Sequence, residues 1–360
     1  MDAKSNFRNT VLQLAPYNVS GHPAKIKLNQ NESPFDIPLK LKKEITEEFF
    51  RIGWNRYPSV FASELPRKLS ERHNLQPDCF IVANGSNELI YTIATSIVME
   101  GTEVLIPQPT FYLFEKICTI LGGRIVKVNA RADLSPDEDE ILRVASKIGN
   151  GLVIIGSPNN PTGKSVTSGF LARLLESTPA IVLLDEAYIE FSEKKSAIDL
   201  VTKYENLVVL RTFSKAFSLA GLRIGYLAAH PGTAFEILKV KIPFTVNPLS
   251  EFTAVKLLEH SELFAERVDF LKKQKKEMIT KLRSLAGVEA LDSDSNFFLF
   301  STPLGAREMF DRLLDKNNVL VRDVSSYPML QKYLRVNAGS SEESAYFNKS
   351  VEDTLRNPME

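Results

Sequence analysis

Lys215 stands directly after Ser214 and close behind Thr212, at the end of the apolar run Leu207-Val208-Val209-Leu210, and a guanidinium, Arg223, follows eight positions later. An amine beside hydroxyl donors and an arginine suits condensation with the aldehyde of a phosphorylated ligand. The lysine takes the aldehyde, while Ser214 and Arg223 hold the phosphate. The same residues also read as a strand followed by a turn with one solvated lysine. Two further segments have the same form. Leu152-Val153-Ile154-Ile155-Gly156 runs into Ser157-Pro158-Asn159-Asn160-Pro161-Thr162-Gly163, and Ile181-Val182-Leu183-Leu184 runs into Asp185-Glu186-Ala187-Tyr188. Short apolar runs of this kind read as strands buried on both faces of a parallel sheet. In doubly wound sheets the ligand crevice lies beyond the carboxyl ends of the strands, so the three polar segments should converge on one place.

Together Asn160, Asp185, Tyr188, Ser214, Lys215 and Arg223 resemble the active site of the fold-type I pyridoxal-phosphate aminotransferases, and within them the histidinol-phosphate aminotransferase family. The resemblance covers nearly the whole chain. It implies pyridoxal 5'-phosphate as cofactor and Lys215 as the lysine that bonds it, with burial lowering the lysine pKa so that the free amine is available. By the same resemblance Asp185 lies against the pyridine nitrogen, and Asn160 and Tyr188 donate to the cofactor phenolic oxygen. The other readings are a helix-capping aspartate after a strand for Asp185 and a simple turn for Asn160-Pro161-Thr162-Gly163.

Val82-Ala83-Asn84-Gly85-Ser86-Asn87-Glu88 ends a strand and opens an apolar helix, Leu89 to Val98. Gly85, Ser86 and Asn87 at a helix N-terminus offer N–H groups to a phosphate, to which Thr212, Ser214 and Arg223 add donors. Family members often carry aspartate where Asn87 stands. Phe111, in Pro109-Thr110-Phe111, matches the aromatic laid over the cofactor, where the histidinol-phosphate enzymes often have tyrosine; a core phenylalanine is the other reading. Tyr57, in Asn55-Arg56-Tyr57-Pro58, resembles the tyrosine that reaches the cofactor phosphate of a neighbouring subunit, which implies a homodimer.

Arg335, in Tyr333-Leu334-Arg335-Val336, aligns with the family arginine for the substrate α-carboxylate, and Arg322, in Val321-Arg322-Asp323, with the arginine for the substrate phosphate. A solvent-facing strand arginine and an exposed pair with Asp323 are the respective alternatives. Tyr17 matches a tyrosine that closes over the same group, and Asn29 and Asn31 match a loop near the site. The implied reaction is transamination between histidinol phosphate and 2-oxoglutarate, giving imidazole acetol phosphate and glutamate in histidine biosynthesis. An aromatic aminotransferase, a phosphothreonine decarboxylase and a non-catalytic cofactor-binding regulator remain as alternatives.

These residues need an α/β scaffold. Strand-like runs at Cys79 to Ala83, Val104 to Ile106 and Arg124 to Val128 precede the three above, separated by helical patterns, which argues for a mostly parallel sheet flanked by helices. Ser135-Pro136-Asp137-Glu138 predicts a helix capped by Ser135 with proline at its first position. Ser340 with Glu343 predicts another, striped by Phe347, Val351 and Leu355. Leu257 to Leu285 reads as helical, its basic run Lys272-Lys273-Gln274-Lys275-Lys276 forming a solvated face. Phe297 to Phe300, Val319 to Val321 and Tyr333 to Val336 predict a second sheet. The expected division is a large cofactor-binding domain over 52–255 and a small α/β domain from 1–51 and 256–360.

Lys+Arg and Asp+Glu both number 44, a net charge of zero that offers no footprint for nucleic acid or an anionic membrane. With 44% hydrophobic residues the chain can bury a large core. Cys79 and Cys118 lack metal-ligand spacing and read as core residues, so no metal is expected. With no apolar leader and no membrane-length apolar run, the expectation is a soluble protein of the cytoplasm.

Overall fold

The computed structural model describes residues 3–16 and 23–356. Seven strands form one sheet whose order is Phe80–Ala83, Gly225–Ala229, Leu207–Thr212, Ile181–Asp185, Leu152–Gly156, Glu103–Gln108 and Arg124–Asn129. All neighbours are parallel except Gly225–Ala229, which runs antiparallel to both of its partners. The all-apolar strands are explained by two cores, one on each face. Val153, Ile155, Val182, Leu184, Leu207 and Val209 enter one cluster, while Leu152, Ile154, Leu183, Val208 and Leu210 enter the other. Period-two alternation therefore separates two apolar faces rather than an apolar from a polar one. Both cysteines are buried and unpaired within these cores.

A four-stranded antiparallel sheet, in the order Arg322–Asp323, Leu334–Asn337, Phe297–Ser301 and Glu289–Ala290, lies later in the chain. The expected strand Val319 to Val321 divides. Val319–Leu320 pairs in parallel with Ile26–Lys27, and only Arg322–Asp323 joins the four-stranded sheet. The expected Ser340 box is present, with Ser340 N–H donating to the Glu343 carboxylate at 2.8 Å and Glu343 N–H donating to Ser340 Oγ at 3.2 Å. Phe347 and Val351 are buried and Leu355 half-buried behind it.

Two helix expectations are corrected. The helix expected from Ser135 starts at Glu138 and is capped by Asp137, which accepts from Glu140 N–H at 3.4 Å. Ser135 Oγ instead donates to Asp133 at 2.6 Å, so the serine is used up in the preceding turn. The segment from Leu257 breaks at His260 into Pro248–Glu259 and Ser261–Arg283. Its basic run is not wholly solvated, because Lys275 is buried and donates to the Ser293 and Ser295 carbonyls. Among the described residues no helix is long and apolar enough to cross a membrane, and no His/Cys/Asp/Glu group could hold a metal.

Candidate active site

The strands 152–156, 181–185 and 207–212 are adjacent, so their carboxyl ends open side by side into a cavity of about 370 Å³. Register sets Asp185 opposite both Gly156 and Leu210. Ser157 N–H donates to Asp185 O and Glu186 N–H to Leu210 O, both at 2.9 Å, which fixes where each strand hands over to its polar segment. Asn29, Asn31, Ser86, Asn87, Phe111, Asn160, Asp185, Tyr188, Thr212, Ser214, Lys215, Arg223, Arg322 and Arg335 all line the one cavity.

Lys215 Nζ donates to Gln30 O at 2.9 Å and lies 5.8 Å from the centre of the Tyr188 ring. Burial, with Arg335 nearby, brings its ammonium down to about 8. Asp185 accepts from Ala187 N–H at 2.9 Å, and burial pushes its carboxyl up to about 6. The aspartate thus caps its turn and also faces the cavity. Tyr188 is buried edge-on against Phe297 and its hydroxyl accepts from Asn31 Nδ2 at 3.0 Å. That leaves the phenol hydrogen free to point into the cavity. Burial raises the Tyr188 pKa, so it stays a donor.

At the other end of the cavity, Gly225 pairs with both Ala83 and Thr212, bringing the turn after Ala83 against the segment after Thr212. A side chain on Gly225 would meet Ser86 N at 2.7 Å, so glycine lets this turn approach. Gly85, at φ +80°, caps the helix Ser86–Ile97; a Cβ there would meet Arg223 Nη2 at 2.5 Å. Arg223 donates to Ser214 Oγ at 3.4 Å and Ala220 O at 3.0 Å, and Ser214 N–H donates to Thr212 Oγ1 at 3.1 Å. A guanidinium, two hydroxyls and a helix N-terminus thus face one small volume, a cradle for a phosphate-sized anion.

The four-stranded sheet supplies the opposite wall. Arg322 and Arg335 are direct cross-strand neighbours, so their side chains leave the same face. Arg335 is buried and donates to Asn160 Oδ1 at 2.5 Å and Asn29 O at 2.8 Å. With its oxygen so engaged, Asn160 offers its amide N–H groups to the cavity. Neither solvent-side alternative holds: Arg335 is not on a solvent face, and Arg322 makes no ion pair with Asp323, which accepts from Ser325 N–H instead. Two like charges directly opposite repel, and an anion between them removes that cost.

An expected residue that is not brought to this cavity is Tyr57. It is 84% exposed and packs on Phe244 with ring centres 5.0 Å apart. Tyr17 lies outside the described residues. Phe111 is half-buried, edge-on to Tyr112 and Phe114, with the cavity on its free side. Sequence reasoning missed Asn159, which accepts from Thr110 Oγ1 at 2.6 Å and donates to Pro109 O at 2.8 Å, holding the Phe111 segment to the Asn160 turn. It also missed Arg211, buried against Glu186 at 3.2 Å and Glu190 at 2.6 Å. A charged residue inside an otherwise apolar strand was the available signal, since a buried guanidinium demands carboxylates.

The family model of aminotransferase class I and II matches residues 23–351. A histidinol-phosphate aminotransferase of Chlorobaculum parvum is 42% identical over 346 residues, covering 95% of this chain and 97% of its own. The structure of histidinol-phosphate aminotransferase from Sinorhizobium meliloti in complex with pyridoxal-5'-phosphate superposes with a TM-score of 0.90 at 22% identity, covering 99% of each chain. L-threonine-O-3-phosphate decarboxylase from Porphyromonas gingivalis follows at TM-score 0.81 and 26% identity, over 92% of this chain and 99% of its own. With a cavity built at three parallel strand ends and a family model matched over most of its length, this chain belongs to the class I and II aminotransferases.

Proposed function

We propose that this aminotransferase uses pyridoxal 5'-phosphate to move the amino group of histidinol phosphate to 2-oxoglutarate, a step of histidine biosynthesis. The donor set fits the cofactor: the cradle of Ser86, Thr212, Ser214 and Arg223 suits its phosphate, Asp185 its pyridine nitrogen, and Asn160 and Tyr188 its phenolic oxygen. Gly85, which a Cβ would drive into Arg223, keeps that cradle open. When bound, the cofactor supplies an electron sink for the pair left as the substrate α-proton departs. Lys215 Nζ is the group that holds the cofactor and then carries that proton. Its lowered pKa keeps a useful fraction of free amine near neutrality. Asp185 holds a proton on the pyridine nitrogen, Phe111 stacks against the ring, and Asn87 contributes through its backbone.

The observation that carries the substrate assignment is the opposed pair Arg322 and Arg335 on one sheet face. Histidinol phosphate has no α-carboxylate but carries a phosphate; 2-oxoglutarate and glutamate carry two carboxylates. Arg335 grips the α-carboxylate of the acceptor, Arg322 the remote phosphate of the donor, and Asn29 and Asn31 orient the loop beneath Lys215. Tyr17 is assigned to the same phosphate. The relatives of 42% identity that bear the histidinol-phosphate aminotransferase name support this reading.

Arg322→Ala is expected to lower kcat/KM for histidinol phosphate at least about tenfold, roughly one charged contact, while sparing phenylalanine as donor. Stopped half-reactions across a panel of amino donors measure it. A wild type that prefers phenylalanine or tyrosine would overturn the substrate but not the chemistry. Release of carbon dioxide from phosphothreonine would favour the decarboxylase reading instead.

The enzyme works as a cytoplasmic homodimer, with Tyr57 reaching the partner's phosphate cradle. The exposure of Trp54, Tyr57, Phe235, Ile242 and Phe244 on one chain supports a covered face. The large domain over 52–255 contains the whole seven-stranded sheet and the small one the four-stranded sheet, which supports that division.

A further inference from the structure

The turn Asn84-Gly85-Ser86 is braced from behind by a carboxylate. Glu88, in the first turn of helix Ser86–Ile97, accepts from Asn84 N–H at 2.8 Å through one oxygen and from the Thr245 hydroxyl at 2.7 Å through the other. Lys241, 4% exposed, donates to the same Thr245 oxygen at 2.8 Å and to Ile242 O at 3.0 Å. Its ammonium lies 3.6 Å from Glu88. Neither Glu88 nor Lys241 lines the active-site cavity.

A carboxylate in the first turn is itself drawn to the helix's positive end, and unbalanced it would repel a phosphate arriving there. Lys241 offsets that charge. Glu88 can therefore hold the turn without cancelling the field on which the phosphate depends. The bracing continues outward, since Phe244 N–H donates to Val60 O at 3.0 Å and Lys241 Nζ lies 5.6 Å from the centre of the Phe61 ring.

We propose that Glu88, held by Thr245 and Lys241, is a positioning residue for the cofactor phosphate: it fixes the Asn84 amide and so the direction in which Ser86 and Asn87 present their N–H groups, the Gly85 N–H being spent on Ala83 O at 2.8 Å. This rests on the reading that the phosphate sits at that turn. Because Glu88 acts on the turn alone, its removal weakens only ligands that carry the phosphate.

The test compares the affinities of pyridoxal 5'-phosphate and of pyridoxal for the full chain stripped of cofactor, by absorbance titration. Glu88→Ala is expected to weaken pyridoxal 5'-phosphate about tenfold while pyridoxal changes less than about twofold, the loss expected for one charge-assisted bond. Glu88→Gln keeps an acceptor for Asn84 and should retain most of the preference. Thr245→Val removes only the bridging hydroxyl and should shift the same ratio by about threefold, the worth of a neutral hydrogen bond; it carries the test should Glu88→Ala fail to fold. An unchanged ratio in both Glu88→Ala and Thr245→Val, or equal weakening of both ligands, overturns the inference. A wild type that does not distinguish the two ligands overturns the phosphate reading itself, and this inference with it.

Discussion

Lys215→Ala is expected to fold and to bind pyridoxal 5'-phosphate, yet to transaminate on the order of ten-thousandfold more slowly or worse, because one side chain performs two tasks. Lys215 Nζ holds the cofactor before the substrate arrives and moves the α-proton afterwards, and among the described residues no second amine lines the cavity to take over either role. Borohydride should trap cofactor on Lys215 in the wild type, found by peptide mass, and on no residue of the variant. Turnover near the wild-type rate would sink the assignment. The same substitution has a stability signature. In the protein alone the Lys215 ammonium is lowered from 10.5 to about 8. Between those values the unfolded chain keeps a proton that the folded chain has released, so stability rises with pH across that window and is depressed below it. Lys215→Ala in cofactor-stripped protein should remove this rise from a pH series of urea melts.

Asp185→Asn should cost roughly a hundred- to a thousandfold in kcat, since a neutral amide cannot hold a proton on the pyridine nitrogen as a carboxylate does. Cofactor affinity should suffer less than the chemical step. Stability should move the other way. Burial raises the Asp185 carboxyl from 3.8 to about 6. Within that window the folded chain binds a proton the unfolded chain has lost, so stability falls as pH rises and remains lowered above it. The full raise corresponds to about 3 kcal/mol, and Asp185→Asn should recover on the order of 1–3 kcal/mol at neutral pH in cofactor-stripped protein. A variant that is slower without being more stable would assign Asp185 a capping role as well as a chemical one. One that turns over normally would leave only the cap.

Much of this site was legible in the sequence because three short apolar runs each end on residues that cannot stay apolar: Asn160, Asp185 and Lys215. Burial on both sheet faces dictates such runs, and their shared direction dictates that the ends meet. Short-range capping was legible at Ser340, whose partner Glu343 stands at the right spacing and keeps its reciprocal bonds although Glu342 also takes the Ser340 hydroxyl. It failed at Ser135, where Asp133 and Asp137 compete for the same turn and the aspartates win. Lys275 was misread because its burial is decided by the carbonyls of Ser293 and Ser295, distant from it in any periodic pattern. The Arg322–Arg335 register follows from strand pairing across a connection that local sequence does not encode, although the resemblance had named both residues.

The bonds that close the site join the two ends of the chain. Asn31 N–H donates to Asn337 Oδ1, and Arg335 donates to Asn29 O, each across a separation of 306 residues. Such contacts close loops that span most of the chain and gain little from local structure, which places them late in folding. During refolding from denaturant, recovery of helical circular dichroism should therefore precede recovery of transamination. A ribosome-bound chain still lacking its final strand can complete its seven-stranded sheet but has no Arg335 with which to finish the catalytic pocket.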